Sequence, residues 1–104
     1  MEENQKNVPL EIETVSIKKV SLTLRAINHP LRKQMLQAIH LQVRMTVTQL
    51  FIKLRIEQSV ASQHLAILRK AGLVTTERDG KFIFYSVNYP GLKKLHETAN
   101  KISA

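Results

Sequence analysis

Four uncharged polar side chains lie within six consecutive residues near the middle of the chain: Gln58, Ser59, Ser62 and Gln63. Amides and hydroxyls both donate and accept hydrogen bonds, so these side chains can match the donor and acceptor pattern of base edges in a major groove. The segment is therefore predicted to read DNA bases. An ordinary helical hairpin with a solvated face is the alternative that the same residues allow.

The four polar residues begin the second of two predicted helices. In the first, Thr46–Leu54, apolar residues recur at i, i+3, i+4 and i+7, and Thr46 with Gln49 has the spacing of a capping box. In the second, Gln58–Ala71, a basic pair occupies the last turn and Gly72 follows where a C-terminal glycine is expected. This arrangement predicts a helix-turn-helix with base-reading side chains at the start of its second helix.

Three further helices are predicted around this pair. Apolar periodicity indicates a helix over Thr14–Asn28, a second over Pro30–Leu41 that begins at its proline, and a last helix from Asn88 to about Ile102. Residues 1–13 are polar and acidic and are predicted to form a flexible tail. Residues 14–104 are predicted to form one DNA-binding and dimerisation domain.

A β-hairpin is predicted between the fourth and fifth helices. Leu73–Arg78 and Lys81–Val87 have the composition of strands, and Asp79-Gly80 between them is a strong hairpin signal. The predicted order is ααααββα, a mainly α winged helix-turn-helix with a β-hairpin wing. The wing residues predicted to approach DNA are Arg78, Gly80 and Lys81, although a hairpin that only covers the core would look the same.

The charge of the chain points to a polyanionic partner. Sixteen Lys and Arg residues against eight Asp and Glu residues give 104 residues a net charge of +8. Four of the acids lie in the first thirteen residues, so residues 14–104 carry fifteen basic side chains against four acidic ones, a net charge of +11. Nucleic acid is the first prediction, and an acidic membrane surface or acidic protein is the second. The predicted contacts to the DNA backbone are Arg32, Lys33, Lys53, Arg55, His64, Arg69 and Lys70.

Two apolar stripes, one on the first and one on the last predicted helix, exceed what so small a core can bury. Both follow the spacing i, i+3, i+7, i+10. They are predicted to pair across a two-fold axis in a homodimer. The interface residues are Ile17, Val20, Leu24, Ile27, Leu92, Leu95, Ala99 and Ile102.

Several classes of function are not supported by the composition. The chain has no cysteine, so it offers no disulfide, thiolate metal site or redox thiol. No apolar run is long enough to span a membrane, and the N-terminal residues do not resemble a signal peptide, so a cytoplasmic protein is expected. Four histidines are present, but the acids outside the N-terminal tail form no recognisable catalytic constellation with them: Glu57, Glu77, Asp79 and Glu97. We expect no enzymatic activity and no cofactor.

The segments that carry these features resemble the ArsR/SmtB family of bacterial transcriptional repressors. Ala26–Arg32 resembles the family's opening motif, Gln58–Leu65 its recognition-helix signature, Leu68–Val74 the approach to the wing, and Arg78–Lys81 with Tyr85–Val87 the wing itself. The resemblance implies a homodimer that binds an operator and is switched by a ligand or a modification.

The sequence departs from this family where many of its members sense metals. Thr46 and Thr48 occupy the positions of the usual Cys-x-Cys pair, and hydroxyls are poor ligands for soft metals. The last helix offers only the adjacent His96 and Glu97, which diverge by about 100°. No metal is therefore expected, and the inducer is unknown. Arg55 stands where the family often has glycine, so its φ is expected to be positive.

The sequence thus predicts a homodimeric, sequence-specific regulator that binds a pseudo-palindromic operator in double-stranded DNA, acting as a repressor without direct metal sensing. Two rivals remain at this point. One is a winged-helix module whose basic face binds an acidic protein, and the other is an RNA-binding module that does not read sequence.

Overall fold

The computed structural model describes the backbone of residues 18–103, with all their side chains except those of residues 99 and 101–103. Helix α1 is described over residues 18–27. It is followed by α2 (Pro30–Gln42), β1 (Arg44–Met45), α3 (Val47–Leu54), α4 (Gln58–Lys70), β2 (Val74–Asp79), β3 (Phe82–Val87) and α5 (Tyr89–Ser103). The predicted winged helix-turn-helix is confirmed. The tail 1–13 and the predicted interface side chains of Ile17, Ala99 and Ile102 lie outside the described residues.

The structure adds one strand to the predicted order of elements. Strand β1 pairs antiparallel with β3, with Met45 opposite Tyr85, and the sheet order is β1-β3-β2. The prediction ααααββα was wrong in omitting this strand, because two residues are too few to produce an alternating pattern.

The turn of the wing lies one residue later than predicted. Asp79 pairs with Phe82, so the two loop residues are Gly80 and Lys81 rather than Asp79 and Gly80. Of these two, only Gly80 has a positive φ, +63°. Glycine at the first loop position is typical of a type II′ turn, whereas the Asp-Gly signal assumed positive φ at both loop residues of a type I′ turn.

One apolar core joins the helix-turn-helix to the sheet. The largest fully buried side chains come from α2, α3, α4 and the residue before β2: Met35, Ile39, Leu50, Leu65, Leu68 and Leu73. Because both helices of the helix-turn-helix insert leucines into this core, the outward face of α4 has a fixed orientation relative to α2 and the wing.

The ends of α3 and α4 follow the predicted caps. Thr46 accepts from the N–H of Gln49 at 3.1 Å, and the Gln49 amide accepts from the N–H of Thr46 at 3.0 Å, which completes the capping box. After α4, Gly72 has φ +77° and the N–H of Leu73 donates to the carbonyl of Leu68 at 2.9 Å. This Schellman geometry ends α4 and directs the chain into the wing.

Helix α1 contacts the body of the domain chiefly through two small residues that lie beside its predicted dimer stripe. Thr23 and Ala26 are buried, whereas Leu24 is 42% exposed and Leu22 is 60% exposed. Small side chains allow α1 to approach the core closely, and the leucines on its other sides remain uncovered within the protomer. Leu22 lies off the predicted stripe, so it was not among the residues predicted to form the dimer interface.

Candidate nucleic-acid interface

The four predicted base-reading residues lie together on the first two turns of α4. All of them are exposed, and at about 100° per residue they cover an arc of roughly 140° on the side away from the core. The N-cap, Glu57, makes no side-chain capping bond. Helix α4 therefore presents an uncharged donor and acceptor surface at its N-terminus, the end that enters a major groove in helix-turn-helix proteins.

Exposed cations lie in the last turns of both helices of the helix-turn-helix. Lys53 lies in the last turn of α3, and Arg69 and Lys70 lie in the last turn of α4. Lys33 is exposed on α2. Basic side chains at helix C-termini interact favourably with the helix dipole. They are also long enough to reach phosphates, which position a protein on DNA without specifying sequence.

Arg55 connects the two helices in the left-handed conformation that its position predicted. It ends α3 with φ 56° and ψ 46°, and its N–H donates to the carbonyl of Ile52 at 3.3 Å. Its side chain is exposed next to the start of α4. A left-handed backbone costs a non-glycine residue about 1 kcal/mol, so Arg55 adopts this turn at a conformational cost.

The wing carries its cations at the tip. Arg78 and Lys81 are exposed, and Nε of Arg78 donates to the carbonyl of Gly80 at 3.3 Å across the turn. The Nζ atom of Lys81 lies 5.4 Å from the centre of the ring of Phe82, a side chain that is 51% exposed. The tip therefore combines positive charge with apolar surface.

Arg44 is a wing cation that the sequence reasoning missed. It lies on β1, 3.2 Å from Oδ2 of Asp79 in the one ion pair found among the described residues, and 3.9 Å from the centre of the Phe84 ring. The periodicity of the sequence did not indicate strand β1, and without that strand nothing predicts that Arg44 lies beside Asp79 at the wing tip.

Arg32 is engaged within the protomer. Its Nε donates to the carbonyl of Ala26 and its Nη2 donates to the carbonyl of Arg25 at 3.1 Å, so it binds the last turn of α1. Its Nη1 donates to Nδ1 of His64 on α4 at 3.2 Å. One guanidinium thus joins α1, α2 and the recognition helix. Three of its N–H donors are engaged within the protomer, which gives Arg32 a structural role. Its contact to the DNA backbone stays a prediction.

His64 is half-buried between Arg32 and His29 rather than facing outward with the cations. Its ring centre lies 4.7 Å from that of His29, whose Nδ1 accepts from the N–H of Leu31 and caps α2. Burial, followed by the charges of His29 and Arg32, lowers the pKa of His64 below its ordinary value. A neutral His64 that accepts from Arg32 has a packing role, and its contact to the DNA backbone stays a prediction.

The described part of the chain shows neither a metal-binding cluster nor a membrane-spanning helix. Within residues 18–103, no three His, Cys, Asp or Glu side chains lie close enough together to hold a metal ion. None of the described helices has the length and apolar character needed to cross a membrane. The expectations of no metal and no cofactor stay predictions.

The helix-turn-helix and the start of the wing match a family model described as "Bacterial regulatory protein, arsR family" over residues 29–76. Transcriptional activator HlyU of Vibrio cholerae is 35% identical over 92 residues, which cover 88% of this chain and 83% of HlyU. The chain belongs to the ArsR family. The biofilm growth-associated repressor of Agrobacterium fabrum is 38% identical to this ArsR-family chain over 78 residues, which cover 75% of the chain and 66% of that repressor.

The likeness extends to the three-dimensional structure of a relative. The crystal structure of the transcriptional repressor PagR of Bacillus anthracis superposes with a TM-score of 0.69 at 27% identity, covering 81% of this chain and 95% of PagR. This coverage exceeds the segment matched by the family model, so the similarity is not confined to the helix-turn-helix.

Proposed function

We propose that this protein is a homodimeric transcriptional repressor that binds a pseudo-palindromic operator in double-stranded DNA. In each protomer, α4 lies in a major groove, the wing reaches the adjacent minor groove or its backbone, and the cations at the helix ends contact phosphates. The two-fold axis places two such half-sites about one helical turn, or a multiple of it, apart. The proposal includes a cytoplasmic location and involves no catalytic step.

The observation that carries the proposal is the division of the exposed surface of the helix-turn-helix. Uncharged side chains that can read base edges occupy the start of α4, and exposed cations occupy the C-terminal turns of α3 and α4. Base contacts supply specificity and phosphate contacts supply affinity and orientation, so a reader of duplex DNA needs both surfaces close together. A module for an acidic protein needs only the cations.

A homodimer is supported by the apolar surface that one protomer leaves uncovered. Leu24 of α1 is exposed, and Leu92 and Leu95 of α5 are half-buried although they pack against the core. Burying the remaining apolar surface of these helices against a second copy contributes about 25 cal/mol per Å². Pairing through α1 and α5 would leave both recognition helices and both wings on the free side of the dimer.

We propose repression because occupation of an operator requires no contacts beyond those of α4, the wing and the cations at the helix ends. The names of two relatives state opposite directions of regulation: the Agrobacterium fabrum protein is named a repressor, and HlyU is named a transcriptional activator. A dimer that reads DNA through α4 and the wing blocks a promoter by binding across it. Activation would require an additional surface for the transcription machinery.

Selection of bound sites from a pool of random duplexes tests the proposal most directly. We expect an enriched inverted repeat whose half-sites are related by the dimer axis. A pool without enrichment, with binding that disappears as salt rises, would contradict sequence reading and favour an acidic protein as the partner. Preferential binding to single-stranded or A-form RNA would favour the RNA-binding alternative.

A further inference from the structure

The hydrogen bonds of Arg32 connect two helices that have different tasks in the proposed dimer. The last turn of α1 accepts from the guanidinium through the carbonyls of Arg25 and Ala26, and α4 accepts through Nδ1 of His64. Leu24 is exposed on α1 and belongs to the predicted dimer interface, whereas α4 carries the base-reading residues. Arg32 therefore joins the dimer helix to the recognition helix within one protomer.

The junction between α1 and α2 is short and is held by hydrogen bonds on both sides. Only residues 28 and 29 separate the two helices, and the N–H of Asn28 donates to the carbonyl of Leu24 at 2.8 Å. Nδ1 of His29 accepts from the N–H of Leu31 at 3.2 Å and caps α2. Arg32, in the first turn of α2, is thus held in a fixed position relative to α1.

His64 holds α4 from a side that carries none of the base-reading residues. At about 100° per residue, it lies roughly 100° to 160° around the helix from each of the four. Its half-buried ring lies 4.7 Å, centre to centre, from that of His29. Within the described residues, no other side-chain hydrogen bond joins α4 to another helix. The bond to Arg32 can therefore orient α4 without occupying its base-reading surface.

The bond between Arg32 and His64 exists only while Nδ1 of His64 carries no proton. A guanidinium has donors and no acceptor, so Nδ1 must accept. Burial, followed by the charges of His29 and Arg32, lowers the pKa of His64 below its ordinary value, which keeps the ring neutral at about pH 7.5. These two residues are the charged groups that face it. The one ion pair among the described residues lies in the wing, so no carboxylate offsets a proton on His64.

We propose that Arg32 and His64 are positioning residues that fix the angle between the dimer helix and the recognition helix, and thereby set the half-site spacing that the dimer accepts. This inference rests on the proposed function. Inserting one base pair between the half-sites moves one of them by about 3.4 Å and rotates it by about 35° around the DNA axis. A dimer with α4 held at a fixed angle to α1 cannot follow that change, whereas a dimer with a loosened α4 can.

Operator duplexes that differ only in half-site spacing test the inference. Affinity is measured for the selected spacing, for one base pair more and one fewer, and for a duplex with a single half-site. At about pH 7.5 we expect the native chain to lose at least about tenfold in affinity when the spacing changes. His64→Leu removes the acceptor and should reduce that loss to about threefold or less, with affinity for the single half-site within about twofold of native.

His64→Asn is the conservative variant, because its Oδ1 can accept in place of Nδ1 and cannot be protonated in this pH range. It should keep the native response to spacing both at about pH 7.5 and at about pH 5, where the native chain should come to resemble His64→Leu. Arg32→Met removes every donor and should also tolerate altered spacing. Lys33→Met is its matched control: it should weaken binding to all duplexes alike and leave the response to spacing unchanged.

A native chain that binds all three spacings equally, or a His64→Leu variant that keeps the native response, would overturn the inference. Equal behaviour of His64→Asn and His64→Leu would also overturn it, because the acceptor would then not matter. So would an equal loss on every duplex, the single half-site included, since that result indicates a general loss of structure, which circular dichroism would detect.

Failure to select any inverted repeat would contradict the proposed function and this inference with it. A selected operator whose response to spacing is the same in the native chain and in the His64 and Arg32 variants would overturn this inference alone. A native response to spacing that is identical at about pH 7.5 and about pH 5 would contradict the dependence on an unprotonated Nδ1.

Discussion

Nη1 of Arg32 lies 3.2 Å from Nδ1 of His64, so a single side chain of α2 joins the recognition helix to the end of α1. The same guanidinium binds the carbonyls of Arg25 and Ala26. The carbonyls of a last helical turn have no partner within the helix, and they need one when they are shielded from water. Arg32 therefore stabilises the junction from which α4 is oriented.

Replacing Arg32 should destabilise the domain far more than replacing its neighbour. Arg32→Ala leaves two carbonyls and the Nδ1 atom of His64 without a donor, so we expect a loss of about 1–3 kcal/mol in the free energy of unfolding. Lys33→Ala removes an exposed charge from the same helix and should change the free energy of unfolding by less than about 0.5 kcal/mol. Urea denaturation at matched protomer concentration measures both, and equal values for the two variants would contradict the structural role of Arg32.

Stability should depend on pH through His64. Its folded-state pKa is lowered, first by burial and then by the charges of His29 and Arg32, so the unfolded chain binds more protons below the unfolded pKa of about 6.5. This contribution favours folding above that pH and is lost as the pH falls below it. Comparing free energies of unfolding at about pH 7.5 and pH 5, we expect a smaller decrease in His64→Gln than in the native chain. An identical decrease in both proteins would show that His64 does not titrate abnormally.

The left-handed turn at Arg55 predicts opposite effects on stability and DNA binding. Arg55→Gly relieves the positive φ of 56° but adds entropy to the unfolded chain, so the free energy of unfolding should stay level or rise by up to about 1 kcal/mol. The same change should weaken binding to every duplex if the side chain contacts a phosphate. Arg55→Ala is the control: it should lose the same DNA affinity and gain no stability. A clear loss of stability in Arg55→Gly would contradict the expected relief of strain.

The parts of the fold that could be predicted are those with a local sequence signal. The capping box at Thr46, the glycine that ends α4 and the alternation of the wing strands each lie within a few residues of their partners. Family resemblance supplied the positive φ of Arg55. These local signals were enough to predict the helix-turn-helix, and the structure confirms it.

The parts that could not be predicted depend on contacts between residues distant in sequence. Strand β1 exists because Arg44 and Met45 meet β3, some forty residues later. The contact of Arg32 with His64 spans 32 residues, and a charged residue looks the same in sequence whether it faces solvent or caps another helix. Val43 has φ 72° after α2 although valine is disfavoured there. No pattern in the sequence predicted this positive φ.

The dimer should depend on Leu24 and not on leucines elsewhere on the surface. Leu24→Glu places a charge on the uncovered side of α1, and the two-fold axis repeats the change in both protomers. Full burial of a leucine is worth about 1.5–3 kcal/mol, so we expect the dissociation constant of the dimer to rise at least about tenfold. Leu41→Glu is the control, because Leu41 of α2 is 66% exposed and lies outside the predicted interface. It should leave the dissociation constant of the dimer unchanged. Sedimentation velocity at tens of micromolar measures both, and a monomeric native chain would contradict the dimer.

Base reading and phosphate contact should be separable by mutation, because different residues of the interface carry them. Lys53→Ala and Arg69→Ala should weaken binding to all duplexes about equally. If each residue meets one phosphate per protomer, the dimer loses two contacts, and the slope of log affinity against log salt concentration falls by roughly two units.

Gln63→Ala should behave differently. Its amide is long enough to span N6 and N7 of an adenine, a pairing worth about 1–3 kcal/mol of discrimination per base. The two-fold axis doubles this loss on the selected operator, whereas binding to a scrambled duplex and the salt slope should hardly change. Competition binding with operator and scrambled duplexes at several salt concentrations measures all three quantities. If Gln63→Ala and Ser62→Ala each lowered operator and scrambled binding by the same factor, α4 would not be reading bases, and the proposed operator-binding repressor would have to be abandoned.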